Sequence, residues 1–208
     1  MKPEQWTKEE SILVLALYFS KPAGIKTSET EEVIHLARIL GRTPDAVYKR
    51  MLRFQQWYPV LPFDINEDLY SEENPAMWEG YFQTPGKAID EAADIAIRLC
   101  AGTLILNLYF QLIIGTMNEK SPEVIELAKF IKQSPSEVVC ILHVYASFDP
   151  FVKVAREEQD VADLSLYHRL WTLYEDDLDK LSYTAKYIAS HYPEKKGRGR
   201  KSGKRKSA

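Results

Sequence analysis

Residues 33–54 read VIHLARILGRTPDAVYKRMLRF, and their pattern indicates the type of fold. The apolar residues of its first half recur at helical spacing: Val33, Leu36, Ala37 and Leu40. Gly41 then supplies a tight turn, and Thr43 places a capping hydroxyl before Pro44 at the first position of a second helix. The pattern predicts a helix-turn-helix, a motif whose second helix can enter the major groove of DNA.

The second helix of this motif is predicted to have an apolar face and a polar face. Val47, Met51 and Phe54 should pack inward. The side chains expected to point outward are Asp45, Tyr48, Lys49, Leu52 and Arg53, with Arg50 at the margin. Residues 38–57 hold five bases and one acid, and such bases contact phosphates and base edges. The DNA-binding residues predicted here are Arg42, Thr43, Asp45, Tyr48, Lys49, Arg50 and Arg53.

An internal repeat extends this motif to the rest of the chain. A shift of 91 positions, without a gap, aligns residues 13–59 with residues 104–150 and gives 14 identities in 47 positions. The segment LVLALYF at 13–19 matches LILNLYF at 104–110, and Thr43-Pro44 matches Ser134-Pro135. Ser121-Pro122 is a further predicted cap in the second copy. These matches predict a duplication.

The repeat predicts an all-α protein built of two tandem helix-turn-helix-like units packed together. We place the first unit at residues 1–84 and the second, diverged unit with a linking helix at 85–194, because Pro85-Gly86 punctuates the chain between them. Further helical patches are expected around Trp78 and Trp171. In the second copy the outward positions are Ser136, Val139, Cys140 and His143, which carry no fixed positive charge and favour packing against a neighbour. A homodimer through this copy is one such arrangement.

The charge of the chain is divided between a body and a tail. The whole sequence has 27 bases and 30 acids, but residues 195–208 hold eight bases and no acid, so the rest carries 19 bases against 30 acids, a net −11. Such a basic segment, rich in Gly and Ser, predicts a disordered tail that contacts nucleic acid or only aids solubility. The bases are Lys195, Lys196, Arg198, Arg200, Lys201, Lys204, Arg205 and Lys206.

Other features of the sequence favour a cytoplasmic protein, associated with the nucleoid if it binds DNA. We expect Cys100 and Cys140 to be buried free thiols in a reducing compartment. The N-terminus predicts no signal peptide. The apolar stretch 99–114 is short for a membrane span and contains Asn107 and Gln111, so a buried core helix is expected there.

Three segments of the sequence resemble the N-terminal helical domain of HNH-type restriction endonucleases. They are Trp6-Thr7-Lys8-Glu9-Glu10, Leu15-Ala16-Leu17-Tyr18-Phe19 and Leu40-Gly41-Arg42-Thr43-Pro44-Asp45-Ala46-Val47. The resemblance covers residues 5–82 well and 103–176 weakly, and it implies a domain that engages DNA. In that family a C-terminal HNH module cuts the DNA. No counterpart is recognised here, because the histidines at 35, 143, 168 and 191 lack a paired His-Asn-His context.

These patterns predict a non-catalytic DNA-binding protein, such as a regulator or the recognition component of a defence or mobile-element system. The sequence shows no Gly-rich phosphate loop, nucleophile elbow or Cys-x-x-Cys pair, and we expect no metal, no cofactor and no membrane partner. The acids Glu157, Glu158 and Asp160, and the cluster Glu175, Asp176, Asp177 and Asp179, fit solvated helix faces. The alternative function is a helical protein–protein interaction module without direct DNA readout.

Overall fold

The computed structural model describes residues 6–20, 26–58, 75–112, 116–152 and 164–192. All regular structure in these ranges is helical, as the sequence predicts, with no strand among them. The first unit contributes α1 (Lys8–Ser20), α2 (Glu31–Leu40), α3 (Pro44–Trp57) and α4 (Glu79–Gln83), the last preceded by a 3-10 turn (Pro75–Trp78). The others are α5 (Pro85–Tyr109), α6 (Pro122–Ile131), α7 (Pro135–Phe148), α8 (Leu164–Tyr174) and α9 (Leu178–Ser190).

The helix bounds follow the repeat. The two helices α6 and α7 begin and end 91 residues after α2 and α3, so each copy has a ten-residue helix, a short turn and a fourteen-residue helix. The same shift carries α1 onto the second half of α5. Helix α5 therefore starts at the predicted boundary, Pro85, links the units through its first half and opens the second unit with its last turns.

A tyrosine anchors the corresponding helices of each copy. The Tyr18 hydroxyl, in α1, donates to the backbone oxygen of Tyr58 at the end of α3, over 2.6 Å. The Tyr109 hydroxyl, in α5, donates to Asp149 Oδ2 at the end of α7, over 2.8 Å. Tyr109 and Asp149 lie 91 residues after Tyr18 and Tyr58, so the duplication preserves the contact. The acceptor changes from a backbone oxygen to a side-chain carboxylate.

Aromatic packing shows that the fourth helices follow a different register. Trp171, in α8, packs on Tyr109 and Phe110 with ring centroids 5.8 and 5.4 Å apart. In the first unit it is Phe82, in α4, that packs on Tyr18 and Phe19, at 6.1 and 5.2 Å. The predicted helical patches around Trp78 and Trp171 are both present. In the second unit Trp171 packs on the Tyr-Phe pair, whereas in the first unit Phe82 takes that position.

The turns between the paired helices share one backbone conformation. Gly41, the residue after α2, has φ +64°, and Lys132, the residue after α6, has φ +58°, both in the left-handed region. The following residues, Arg42 and Gln133, donate their backbone N–H to Ala37 and Ala128 five positions earlier, over 2.9 and 3.0 Å. This closure of the helix end fixes the angle at which α3 and α7 leave the turn.

The hydroxyls of Thr43 and Ser134 cap helices as predicted, whereas that of Ser121 does not. Thr43 Oγ1 accepts from the N–H of Ala46 at the start of α3, and Ser134 forms a reciprocal capping box with Glu137 at the start of α7. Ser121 does not cap α6, because its hydroxyl donates to the backbone oxygen of Thr116 instead.

Helix α5 is the centre of the protein and contacts α1, α4, α6, α7, α8 and α9. It is longer than the predicted 99–114 core helix and ends earlier, at Tyr109, with residues 113–115 outside the described ranges. By length and composition alone, α5 is the one described helix able to cross a membrane, but 67% of its most apolar stretch is buried within the protein. That burial is typical of the core helix of a globular domain.

Candidate nucleic-acid interface

The turn that precedes α3 is held by a buried carboxylate. Thr7 and Glu10 form a capping box at the start of α1, with 3.0 Å from Thr7 N to Glu10 Oε2 and 3.1 Å from Glu10 N to Thr7 Oγ1. The same Oε2 lies 2.7 Å from Arg42 Nη2, and these two side chains are only 8% and 6% exposed. The Arg42 guanidinium also lies 4.2 Å above the Trp6 ring. Arg42, a predicted DNA-binding residue, therefore lies inside the first unit.

Arg50 is also inside the protein, which corrects the predicted position at the margin. The residue is 2% exposed, and its Nη2 donates to Ser11 Oγ on α1 over 2.8 Å. Its guanidinium lies within 6 Å of the rings of Trp6, Phe54 and Trp78. A delocalised guanidinium tolerates such an aromatic surrounding better than an ammonium group does.

The sequence contained a signal for this burial. Arg50 is three residues after Val47 and four before Phe54, which places it on the apolar face of α3 rather than beside it. Val47 and Phe54 are fully buried, together with Met51, as predicted. Leu52, predicted to point outward, is 6% exposed and belongs to the core, so this assignment was wrong as well.

The outward face of α3 keeps a smaller set of the predicted residues. Thr43, Asp45 and Lys49 are exposed, while Tyr48 and Arg53 are half-buried. Lys49 Nζ lies 3.2 Å from Asp45 Oδ2, one helical turn earlier. Because an exposed pair of this kind is weak, Lys49 can exchange it for a phosphate at little cost. The face therefore offers two cationic side chains, Lys49 and Arg53, and one acid, because Arg50, predicted at its margin, is buried.

The predicted tail residues lie outside the described ranges, and their disorder stays a prediction. They are Lys195, Lys196, Arg198, Arg200, Lys201, Lys204, Arg205 and Lys206. The last described residue before them is Tyr192, which follows α9 and packs on Phe130 of α6 with ring centroids 5.3 Å apart.

The second copy lacks the internal charge network of the first. The positions that correspond to Glu10, Arg42 and Arg50 are Ala101, Gln133 and Ile141. Ile141 is buried, as Arg50 is, but without a charge to satisfy. On the outer face of α7, Ser136 is exposed and Val139, Cys140 and His143 are half-buried. This face agrees with the predicted uncharged surface.

The two cysteines differ in their environment. Both are free thiols, but Cys100 is buried and Cys140 is half-buried, so the expected burial holds only for the first. Burial raises the pKa of the Cys100 thiol to about 12. Cys100 is therefore a protonated core residue at neutral pH.

No group of three or more His, Cys, Asp or Glu that could hold a metal ion occurs in the described part of the chain. The acids at the α8–α9 junction, Glu175, Asp176, Asp177 and Asp179, are exposed, and two of them have local structural partners. Asp177 Oδ1 accepts from the N–H of Lys180 to cap α9, and Glu175 accepts from the Trp171 indole. Glu157, Glu158 and Asp160 lie outside the described residues.

Comparison with protein-family models, with curated proteins and with solved structures finds no match for the chain.

Proposed function

We propose that the chain binds DNA without catalysing a reaction on it, with the basic segment 195–206 supplying most of the phosphate contacts. The observation that carries this proposal is the separation of charge: eight bases without an acid follow a body of net charge −11. Lysine and arginine contacts to phosphates release condensed counterions, which makes them the main source of non-specific affinity. A regulator, or the recognition component of a defence or mobile-element system, has this property.

The outward face of α3 is proposed as a second, smaller contact. Lys49 and Arg53 are the bases of α3 that reach the surface, and Thr43 and Tyr48 can donate hydrogen bonds beside them. The buried Arg42 and Arg50 support this face from behind, because they fix the turn and α3 against α1. Two bases and one acid give only modest affinity, so the face would orient bound DNA more than hold it.

The test is electrophoretic or fluorescence titration of a labelled 30-base-pair duplex with the full chain. Charge reversal at Lys49 and Arg53 together should weaken binding by about 10-fold, and the fold should be retained because both side chains reach solvent. Lys129→Glu together with Lys132→Glu, two exposed bases of the second unit, is the matched control and should change the affinity less. An equal loss of DNA affinity in the variant and the control would show that the bases of α3 contribute no more to binding than other exposed bases do.

A protein-interaction module is the second candidate, and one surface favours it. Phe130 is 45% exposed on α6 and packs on Tyr192, while the neighbouring helix α7 presents an uncharged outer face. Exposed aromatic side chains are enriched where proteins associate. Sedimentation of the parent and of Phe130→Ser would test whether this surface forms a homodimer: a concentration-dependent dimer lost in the variant supports it, and a monomeric parent contradicts it.

A further inference from the structure

Three ring side chains join α2 of the first unit to the end of α9 in the second. His35 Nδ1, on α2, lies 2.6 Å from the hydroxyl oxygen of Tyr187, on α9. The Tyr187 ring stacks on the imidazole of His191, the residue after α9, with centroids 4.4 Å apart. The His191 imidazole in turn lies edge to face with that of His35, at 5.7 Å. We call His35, Tyr187 and His191 the α2–α9 cluster.

The charges around this cluster are mostly positive. The guanidinium of Arg38, exposed on α2, lies 5.0 Å above the Tyr187 ring. In the described part of the chain, the charges that act on His35 come from Arg38 and Glu31 on α2 and from His191 next to α9, and none comes from α1 or α3, which also pack on α2. Of the three, only Glu31 favours a protonated His35.

The hydrogen bond between His35 and Tyr187 is compatible with both protonation states of the imidazole. An unprotonated Nδ1 accepts from the hydroxyl, and a protonated Nδ1 donates to the hydroxyl oxygen. The two states differ instead in charge, because His35 is half-buried and lies beside two groups of positive or potentially positive charge. Burial, and after it His191 and Arg38, lowers the pKa of His35 below its ordinary value of 6.5.

We propose that the α2–α9 cluster is a pH-sensitive latch, which holds the end of α9 on α2 while its imidazoles are neutral and loosens when they are protonated. Histidine is the side chain whose charge ordinarily changes between about pH 5 and 8. The stability that a neutral His35 contributes is fully present above pH 6.5 and is lost as the pH falls below 6.5 through the pKa of the folded chain. The latch does not depend on whether the chain binds DNA.

The loosening should begin at the C-terminal end of α9. Near the start of α9, Lys180 Nζ lies 3.5 Å from the backbone oxygen of Gly41, and this second contact with the first unit contains no histidine. Only the end of α9 that carries Tyr187 and precedes His191 is therefore expected to respond to a mildly acidic pH.

The test is amide hydrogen exchange of the full chain at about pH 7.5 and about pH 5.5, with rates corrected for the intrinsic effect of pH. Protection of the amides at 185–190 should fall several-fold at the lower pH, because proton uptake by the imidazoles favours local opening of α9. Protection in α7, which contributes no residue to the cluster, should fall less. Equal protection of 185–190 at both pH values, or an equal loss in α7, would overturn the proposal.

Variants of the cluster assign the effect to its histidines. His35→Gln and His191→Gln each replace an imidazole with a neutral amide, so each should reduce the pH-dependent loss of protection. His143→Gln, at a half-buried histidine of α7, is the matched control and should keep the loss seen in the parent. Arg38→Gln removes a positive charge beside the cluster, so the pKa of His35, followed by proton NMR, should rise. A loss in His35→Gln as large as in the parent, or an unchanged His35 titration in Arg38→Gln, would contradict the latch.

Discussion

Glu10 Oε2 lies 2.7 Å from Arg42 Nη2, and this buried contact joins the start of α1 to the turn before α3. The carboxylate also reaches Arg169 of α8, so one side chain joins α1, the turn before α3 and α8. Glu10→Ala would remove a buried carboxylate that two guanidinium groups, those of Arg42 and Arg169, contact. We expect a loss of about 3–5 kcal/mol in the free energy of unfolding, measured by urea denaturation.

The exposed pair of α3 provides the control for that measurement. Asp45 and Lys49 are 64% and 50% exposed, so Asp45→Ala should change stability by no more than about 1 kcal/mol. Similar losses for Glu10→Ala and Asp45→Ala would mean that the buried network does not hold the turn.

The matched turns predict opposite effects of matched substitutions. Gly41 has φ +64°, and a Cβ there would lie 2.6 Å from Leu173 Cδ2, so Gly41→Ala should destabilise the protein by about 1–3 kcal/mol. Lys132 is exposed with φ +58°, so Lys132→Gly should stabilise it by up to about 1 kcal/mol. Thermal unfolding measures both, and a stabilising Gly41→Ala would contradict the left-handed turn.

The thiols should react at very different rates. Cys100 is buried and protonated, whereas Cys140 is half-buried on the outer face of α7. Titration of the folded chain with an aromatic disulfide at pH 8 should therefore modify one thiol quickly and the other only on unfolding. Cys140→Ser should remove the fast phase. Two fast phases in the parent would show that the core around α5 is open.

Cys100 also predicts a pH dependence of stability. Its pKa is raised from 9.0 to about 12 in the folded chain, so folding favours the thiol over the thiolate. The stability that this preference contributes is fully present below pH 9 and is lost as the pH rises from 9 through about 12. Cys100→Ala should show a shallower decline than the parent over this window, measured by urea denaturation at fixed pH steps. Parallel profiles would contradict the buried thiol.

Much of the fold could be predicted from the sequence because the repeat and the caps are local signals. The 91-residue shift and the Thr43-Pro44 and Ser134-Pro135 pairs locate the same helices that the structure contains. The side of α3 on which Arg50 lies could not be settled in this way, since it depends on Ser11 and Trp6 from another helix. Arg42 and Arg50 were predicted to contact DNA because of their charge, whereas tertiary packing buries both side chains. The cavity of about 130 Å³ where α1, α5 and α8 meet could not be predicted either, because its wall residues come from three segments that are far apart in the sequence.

The roles of the two outer faces can be separated by one pair of variants. Arg53→Glu changes a half-buried base on α3, and Val139→Glu places a charge on the partly buried face of α7. We expect Arg53→Glu to weaken DNA binding and retain the fold, and Val139→Glu to lower the melting temperature while leaving binding of the folded fraction unchanged. DNA titration and thermal unfolding of both variants decide this. Full DNA affinity in Arg53→Glu would favour the interaction-module function.

The most direct test of DNA binding by the basic segment is the salt dependence of affinity. The dissociation constant for a 30-base-pair duplex is measured between 50 and 200 mM salt for the full chain and for a chain ending at Glu194. For a protein that neutralises Z phosphates, the logarithm of affinity falls with the logarithm of salt concentration at a slope of about −0.9Z. Loss of eight bases should weaken binding at low salt and make this slope clearly shallower. Equal affinities and parallel slopes for the two chains would contradict the proposal that residues 195–206 hold the DNA.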